Sequence, residues 1–239
     1  MAPAYKRILL KVSGEALSGD QTFGIQPEFL GGVAQQIAEV TKTGVQMAIV
    51  TGGGNIFRGM AVAAQGGDRV TADMMGTLGT VINALALAGA LTQIGVKAKV
   101  FSATTMPSVA DTYTARAAKA ALEDGYVVVL GGGIGNPFFT TDTAAALRAI
   151  ELECDIVLKG TNVDGVYSAD PKKDPNATRY DQISHDDVIS QNLRVMDTAA
   201  FALARDNNLP IIVYALDDKE GLSGVLAGRV RSTRIGKPL

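Results

Sequence analysis

Short β-branched apolar runs alternate with helical periods along almost the whole chain. Strands are predicted over Ile8 to Ser13, Gln46 to Thr51, Ala98 to Phe101, Tyr126 to Leu130, Asp155 to Lys159 and Ile211 to Tyr214. Between them the apolar spacing predicts helices over Pro27 to Lys42, Ala72 to Gln93, Tyr113 to Glu123, Thr143 to Glu153 and Asp197 to Asn207. Strands that read as continuous apolar runs are buried on both faces, and their alternation with helices is the mark of βαβ units. The expected class is therefore α/β: a mostly parallel central sheet with helices on both faces. Ser232 to Ile235 is expected to add an edge strand, and the Pro- and Asp-rich stretch Asp170 to Thr178 reads as a loop inside one domain, residues 1–239.

Composition narrows this picture. The 239 residues are 47% hydrophobic, with 27 glycines and no tryptophan, enough to bury a substantial core with many tight strand-to-helix turns. A net charge of −2 argues against nucleic acid as a partner, because that surface needs a clustered excess of Lys and Arg. One Cys and one His exclude a disulfide framework and ordinary zinc sites, which points to the cytoplasm. Lys11 interrupts the first apolar run too early for a signal segment, and no apolar stretch is read as approaching membrane-spanning length, so no membrane is expected. Cys154 reads as a small filler and His185 as an ordinary helix start.

The chemistry lies at the strand ends. Gly131-Gly-Gly-Ile-Gly-Asn-Pro-Phe-Phe-Thr-Thr-Asp-Thr143 follows one strand and opens a helix, Gly52-Gly-Gly-Asn55 ends another strand, and Ser13-Gly14 ends a third. Glycines let backbone N–H groups approach an anion, so three such turns suggest a heavily phosphorylated ligand. The G-x-x-x-x-G-K-[ST] loop is absent, and Phe57 and Asn136 stand where G-x-G-x-x-G would need its last glycine. Lys11 and Lys159 each end an apolar strand beside a glycine turn, where two cations can flank a transferring phosphoryl group. Asp142 reads either as a helix N-cap, contributing about 1 kcal/mol, or as a carboxylate that orients a lysine or Mg²⁺. Arg58 and Asp73 are ambiguous on their own.

Taken together, Lys11-Val-Ser-Gly-Glu-Ala16, Gly52-Gly-Gly-Asn-Ile-Phe-Arg-Gly59, Ala72-Asp-Met-Met-Gly76, Gly135-Asn-Pro-Phe-Phe-Thr-Thr-Asp142, Leu158-Lys-Gly-Thr-Asn-Val-Asp-Gly-Val-Tyr-Ser-Ala-Asp-Pro171 and Val195-Met-Asp-Thr-Ala-Ala-Phe201 closely resemble the bacterial uridylate (UMP) kinases of the amino acid kinase superfamily. The resemblance implies a three-layer αβα sandwich of the carbamate kinase-like kind. It also implies ATP- and Mg²⁺-dependent conversion of UMP to UDP in pyrimidine nucleotide biosynthesis, by a cytoplasmic homohexamer activated by GTP and inhibited by UTP.

By that resemblance Lys11, Asp142 and Lys159 are catalytic. Lys11, Val12, Ser13, Gly14, Gly54 and Arg58 line the ATP phosphates, and Thr161, Asn162, Tyr167 and Asp170 hold its adenosine. Gly53, Asp73, Ile134, Gly135, Asn136, Pro137, Phe138, Phe139, Thr140 and Thr141 hold UMP. The N-terminal half is then mainly UMP-binding and the C-terminal half mainly ATP-binding. Gly19, Asp20, Gln21, Thr22, Phe23 and Gly24 form the loop implied in GTP activation. No protein side chain is assigned to Mg²⁺, which comes with ATP. Ile134 departs from the family's pattern, standing where relatives often carry a small polar residue. The alternatives are an acid-group kinase of the same superfamily making an acyl phosphate, and a non-catalytic nucleotide-binding module.

Overall fold

The computed structural model describes residues 5–57, 66–171, 173–193 and 195–237. Its strands are β1 (Arg7–Val12), β2 (Gln46–Thr51), β3 (Ala98–Ser102), β4 (Asp111–Thr112), β5 (Val127–Gly131), β6 (Ile156–Thr161), β7 (Val166–Tyr167), β8 (Arg179–Tyr180), β9 (Gln182–Ile183), β10 (Ile211–Ala215) and β11 (Ser232–Ile235). The helices are α1 (Gly14–Leu17), α2 (Pro27–Thr41), α3 (Arg69–Gln93), α4 (Ala115–Glu123), α5 (Thr141–Glu151), α6 (His185–Ser190), α7 (Thr198–Asp206) and α8 (Gly221–Leu226).

Nine strands form one sheet in the order β4-β3-β5-β2-β1-β6-β10-β11-β9, parallel at every step except β10–β11. All six residues of β1 are buried, as a central parallel strand covered on both faces requires. Alternation along that strand sorts its side chains between two cores. Ile8 and Leu10 pack with α2, α3 and α8, whereas Leu9 packs with α4, α5, α6 and α7. Each such side chain fully buried contributes about 2 kcal/mol. These are the expected helix, sheet and helix layers.

Several boundaries move, and the moves matter for the site. Helix α3 begins at Arg69 rather than Ala72, because Asp68 caps it by accepting from the Thr71 N–H at 2.7 Å. Helix α5 begins at Thr141 rather than Thr143, so its N-cap is Thr140 and not Asp142. Tyr113 lies outside α4, its N–H donating to the Ser102 carbonyl at 2.8 Å. Strand β11 is not the sheet edge, since β9 pairs beyond it.

One sequence expectation is overturned. Helix α3 has 25 residues and a mean hydropathy of 1.6 over its most apolar window, long and apolar enough by length and composition to cross a membrane. Interspersed Thr, Asn and Gly hide this in the sequence. In the fold Gly79, Thr80 and Asn83 of this helix are buried, the last two hydrogen-bonded, and the helix lies against β3 and β5.

Candidate active site

Lys11 and Lys159 stand opposite each other in the β1–β6 register, so the parallel pairing sets the two cations side by side. Both share the strand face of Leu9 and Val157, the face covered by α5. Asp142, in the first turn of α5, meets both, with Lys11 Nζ 2.8 Å from Oδ1 and Lys159 Nζ 2.7 Å from Oδ2. Each lysine is only 7% exposed. Burial disfavours the Asp142 carboxylate, but the two lysines outweigh it and hold its pKa below the ordinary value. Burial also pushes Lys159 down to about 8, against the pull of Asp142. The Lys159 ammonium further donates to the Val195 carbonyl. Of the two readings of Asp142, the structure realises the lysine-orienting one.

The first two glycine turns lock together. A Cβ on Gly14 would lie 2.5 Å from Asn55 Oδ1 and 2.8 Å from Gly54 N, and one on Gly52 would lie 2.7 Å from Gly14 N. Gly53 packs equally tightly on α3, where an added Cβ would lie 2.6 Å from the Gly76 carbonyl oxygen. These three glycines thus serve backbone packing, while a Cβ on Gly54 would meet open space. The Ser13 hydroxyl caps α1, accepting from the Ala16 N–H at 3.3 Å. Val12 is wholly buried, so its side chain belongs to the core. Arg58 lies outside the described residues.

The residues expected to hold UMP converge across the fold. Asp73 in α3 accepts the Phe138 N–H at 2.8 Å and both its oxygens accept from Arg69 Nε, at 2.9 and 2.8 Å. Phe138 sits at a φ of 71°, unusual for a side chain of its size, with the Arg69 guanidinium over its ring. Phe138 and Phe139 remain 62% and 51% exposed. The loop before them is braced by Gly132 N, which donates to Thr80 Oγ1 at 2.8 Å, and by Gly135, which packs on the Ala103 carbonyl. Ile134 packs against the core beneath α5, which accounts for an apolar residue there. Thr140 caps α5, and its hydroxyl donates to Asp197.

On the side expected to hold adenosine, Thr161 and Asn162 follow Lys159 at the end of β6, and Thr161 Oγ1 accepts the Val163 N–H at 2.9 Å. Tyr167 in β7 donates its hydroxyl to Asp164 at 2.6 Å, which raises its pKa. Asp170 pairs with Lys173 at 3.6 Å. Asn162 lines a cavity of about 530 Å³ together with Gly19, Asp20, Phe29 and Asp217. Chain distance suggests that the loop of residues 19–24 is remote from the Ser13-Gly14 turn, yet the structure brings them near. Gly24 exchanges two 2.8 Å hydrogen bonds with Asn55, the same residue that lies against Gly14.

Sequence reading missed several residues that build this site. Asn55 and Asn83 are buried and bond each other through their amides, and Asn83 also donates to the Gly52 carbonyl at 2.7 Å. Asp197 caps α7 and accepts from Thr143 at 2.8 Å, joining α7 to the start of α5. An Asn inside a helix carries no signal until its partners are known, and an Asp before one signals its cap but not a second bond such as that to Thr143. His185 and Cys154 keep their structural readings: burial lowers the His185 pKa and pushes the Cys154 thiol up to about 12.

This geometry agrees with what the chain is similar to. The amino acid kinase family pattern matches residues 6–215. A uridylate kinase of Brucella anthropi is 57% identical over 231 residues, 97% of this chain and 96% of that one. The solved UMP kinase of Bacillus anthracis superposes with a TM-score of 0.93 at 40% identity, covering 98% of this chain and 97% of its own. That of Ureaplasma parvum gives 0.92 at 39%, covering 97% and 99%.

Proposed function

The chain belongs to the amino acid kinase family, and we propose that it transfers the terminal phosphoryl group of ATP to the phosphate of UMP, giving UDP for pyrimidine nucleotide synthesis. The observation that carries this reading is Asp142 holding Lys11 and Lys159 on one point, in a chain whose relatives over its full length are uridylate kinases. The acyl-phosphate alternative is not favoured by those relatives, and the chain is an enzyme rather than a binding module.

Two polyanions must meet at the reacting centre, and only local cations and N–H dipoles offset their repulsion. Lys11 and Lys159 neutralise charge on the moving phosphoryl oxygens, and Asp142 fixes where those cations stand. A phosphate oxygen needs no proton removed before it attacks, which suits a carboxylate kept ionised by two lysines rather than poised as a base. Asp73 and the 134–141 segment hold UMP, with the exposed Phe138 and Phe139 beside the base. Val12, Ser13, Gly14, Gly54 and Arg58 hold the ATP phosphates, and Thr161, Asn162, Tyr167 and Asp170 its adenosine. The chain acts as one domain, in which both halves supply residues to each nucleotide. Mg²⁺ would enter with ATP, whose phosphate oxygens would supply its ligands and whose charge it would offset.

A homohexamer is supported by the outer face of α3, where Met75, Leu78, Ile82 and Leu85 lie one helical turn apart and 39–47% exposed. An apolar stripe of this kind marks an interface. Activation by GTP through residues 19–24 is supported by the ties between that loop and the Gly52 turn, and by the cavity it shares with Asn162; inhibition by UTP is proposed from the resemblance alone. A cytoplasmic setting fits the single unpaired Cys154. Turnover measured with ATP and UMP, CMP, glutamate or carbamate as acceptor tests the reading. Preference for an acid over UMP would overturn it.

A further inference from the structure

We propose that Arg148 is a positioning residue that fixes the acceptor loop against the transfer centre, a role that deepens the reading above. Arg148 lies on α5, the same helix whose first turn carries Asp142, and is only 6% exposed. A buried guanidinium must have its charge and its donors met. One end pairs with Glu151 at 2.7 Å, the plane stacks on the Tyr113 ring with Cζ 3.9 Å from its centre, and Nη2 donates to the Gly133 carbonyl at 3.2 Å. The Tyr113 hydroxyl completes the cluster by donating to Glu151 at 2.7 Å, and burial together with that bond raises its pKa, so it stays a neutral donor.

Gly132, Gly133 and Gly135 stand at φ of 80°, 57° and 85°, left-handed backbone on either side of Ile134 that dictates where the next residues go. Thr80 holds this loop from α3 at the Gly132 N–H, and Arg148 holds it from α5 at the next carbonyl. Charge balance alone needs only the Glu151 pair. The stack and the carbonyl bond use the planar fork of arginine, which lysine cannot reproduce. Helix α5 thereby carries both the carboxylate that orders the two lysines and the cation that orders the acceptor loop, and links their positions.

The test compares Arg148→Lys, Glu151→Gln and Tyr113→Phe in the full chain, with KM for UMP and for ATP, kcat, thermal midpoint and amide hydrogen exchange of residues 131–139. Arg148→Lys should raise KM for UMP on the order of tenfold, leave KM for ATP within about twofold, and speed exchange in the loop. Glu151→Gln should lower the midpoint while leaving both KM values near wild type, because the stack and the carbonyl bond survive. Tyr113→Phe should stay within about threefold for UMP, since the ring remains. Equal rises in both KM values, unchanged loop exchange in Arg148→Lys, or a UMP effect in Glu151→Gln as large as in Arg148→Lys would each overturn the proposal. Should wild type fail to phosphorylate UMP, the functional reading falls, and loop exchange alone still decides the role of Arg148.

Discussion

The proposed transfer centre and the proposed acceptor side are built on opposite plans. Lys11 and Lys159 project from two central strands, fixed by backbone register and 7% exposed, with Asp142 clamped between them. The proposed acceptor side hangs on scattered contacts, among them one N–H from Phe138 to Asp73, one from Gly132 to Thr80, one guanidinium contact to Gly133 and the Thr140 hydroxyl to Asp197, with two phenylalanines left more than half exposed. Charges that stabilise a transition state gain from a dry, preorganised place, because reorganisation there would cost what the field supplies. A specificity surface must admit and release its ligand, so it sits on loops held by a rigid scaffold.

The sharpest way to break the contrast is Lys11→Met. It should cut kcat by roughly two to four orders of magnitude with unchanged circular dichroism, because the charge acts most strongly as the phosphoryl group moves. A change confined to KM would make the lysine a binding group and erase the distinction between the two regions. Next in size, Asp73→Ala should raise KM for UMP by about ten- to a hundredfold, the loss of a charged hydrogen-bond partner, with KM for ATP little altered. Comparable losses for both nucleotides would remove Asp73 from the acceptor side.

Lys159 sharpens the comparison through pH. Its pKa of about 8 means the cation is lost as pH rises through that value, so kcat/KM for ATP should fall on an alkaline limb there, by several-fold per pH unit. Bound ATP favours the cation, so the limb in kcat should lie higher, and Lys159→Arg should remove both. A limb unmoved by Lys159→Arg belongs to another group. For stability the sign is opposite: between about 8 and 10.5 the unfolded chain binds more protons than the native one, so this group's contribution grows as pH rises through that window. The smallest effect is expected at Phe138, whose φ of 71° glycine adopts without penalty. Phe138→Gly should leave the melting temperature level or raise it, by an amount equivalent to about 1 kcal/mol at most, while weakening UMP binding. A clear loss of stability would show that this loop is core rather than ligand surface.

The alternation of β-branched runs with helical periods was enough to predict seven strands, and all seven form, because burial on both faces demands continuous apolar sequence whatever its neighbours are. The two-residue strands β4, β7, β8 and β9 escaped, since a pair of residues has no period to detect. Lys11 and Lys159 were legible as a pair for a related reason: a lysine late in an apolar strand beside glycine breaks a pattern that is otherwise strict, whereas Asp142 stayed ambiguous because an acid at a helix start also reads as a cap. What the sequence by itself determined is thus the set of layers and the chemical kinds of group at the strand ends. Which strand lies beside which, and so that Lys11 faces Lys159, that Asn55 touches both Gly14 and Gly24, and that Arg148 reaches Gly133, only the tertiary structure decided. Those pairings join residues far apart in the chain, and their stability comes from burial and register, which no local run of residues encodes.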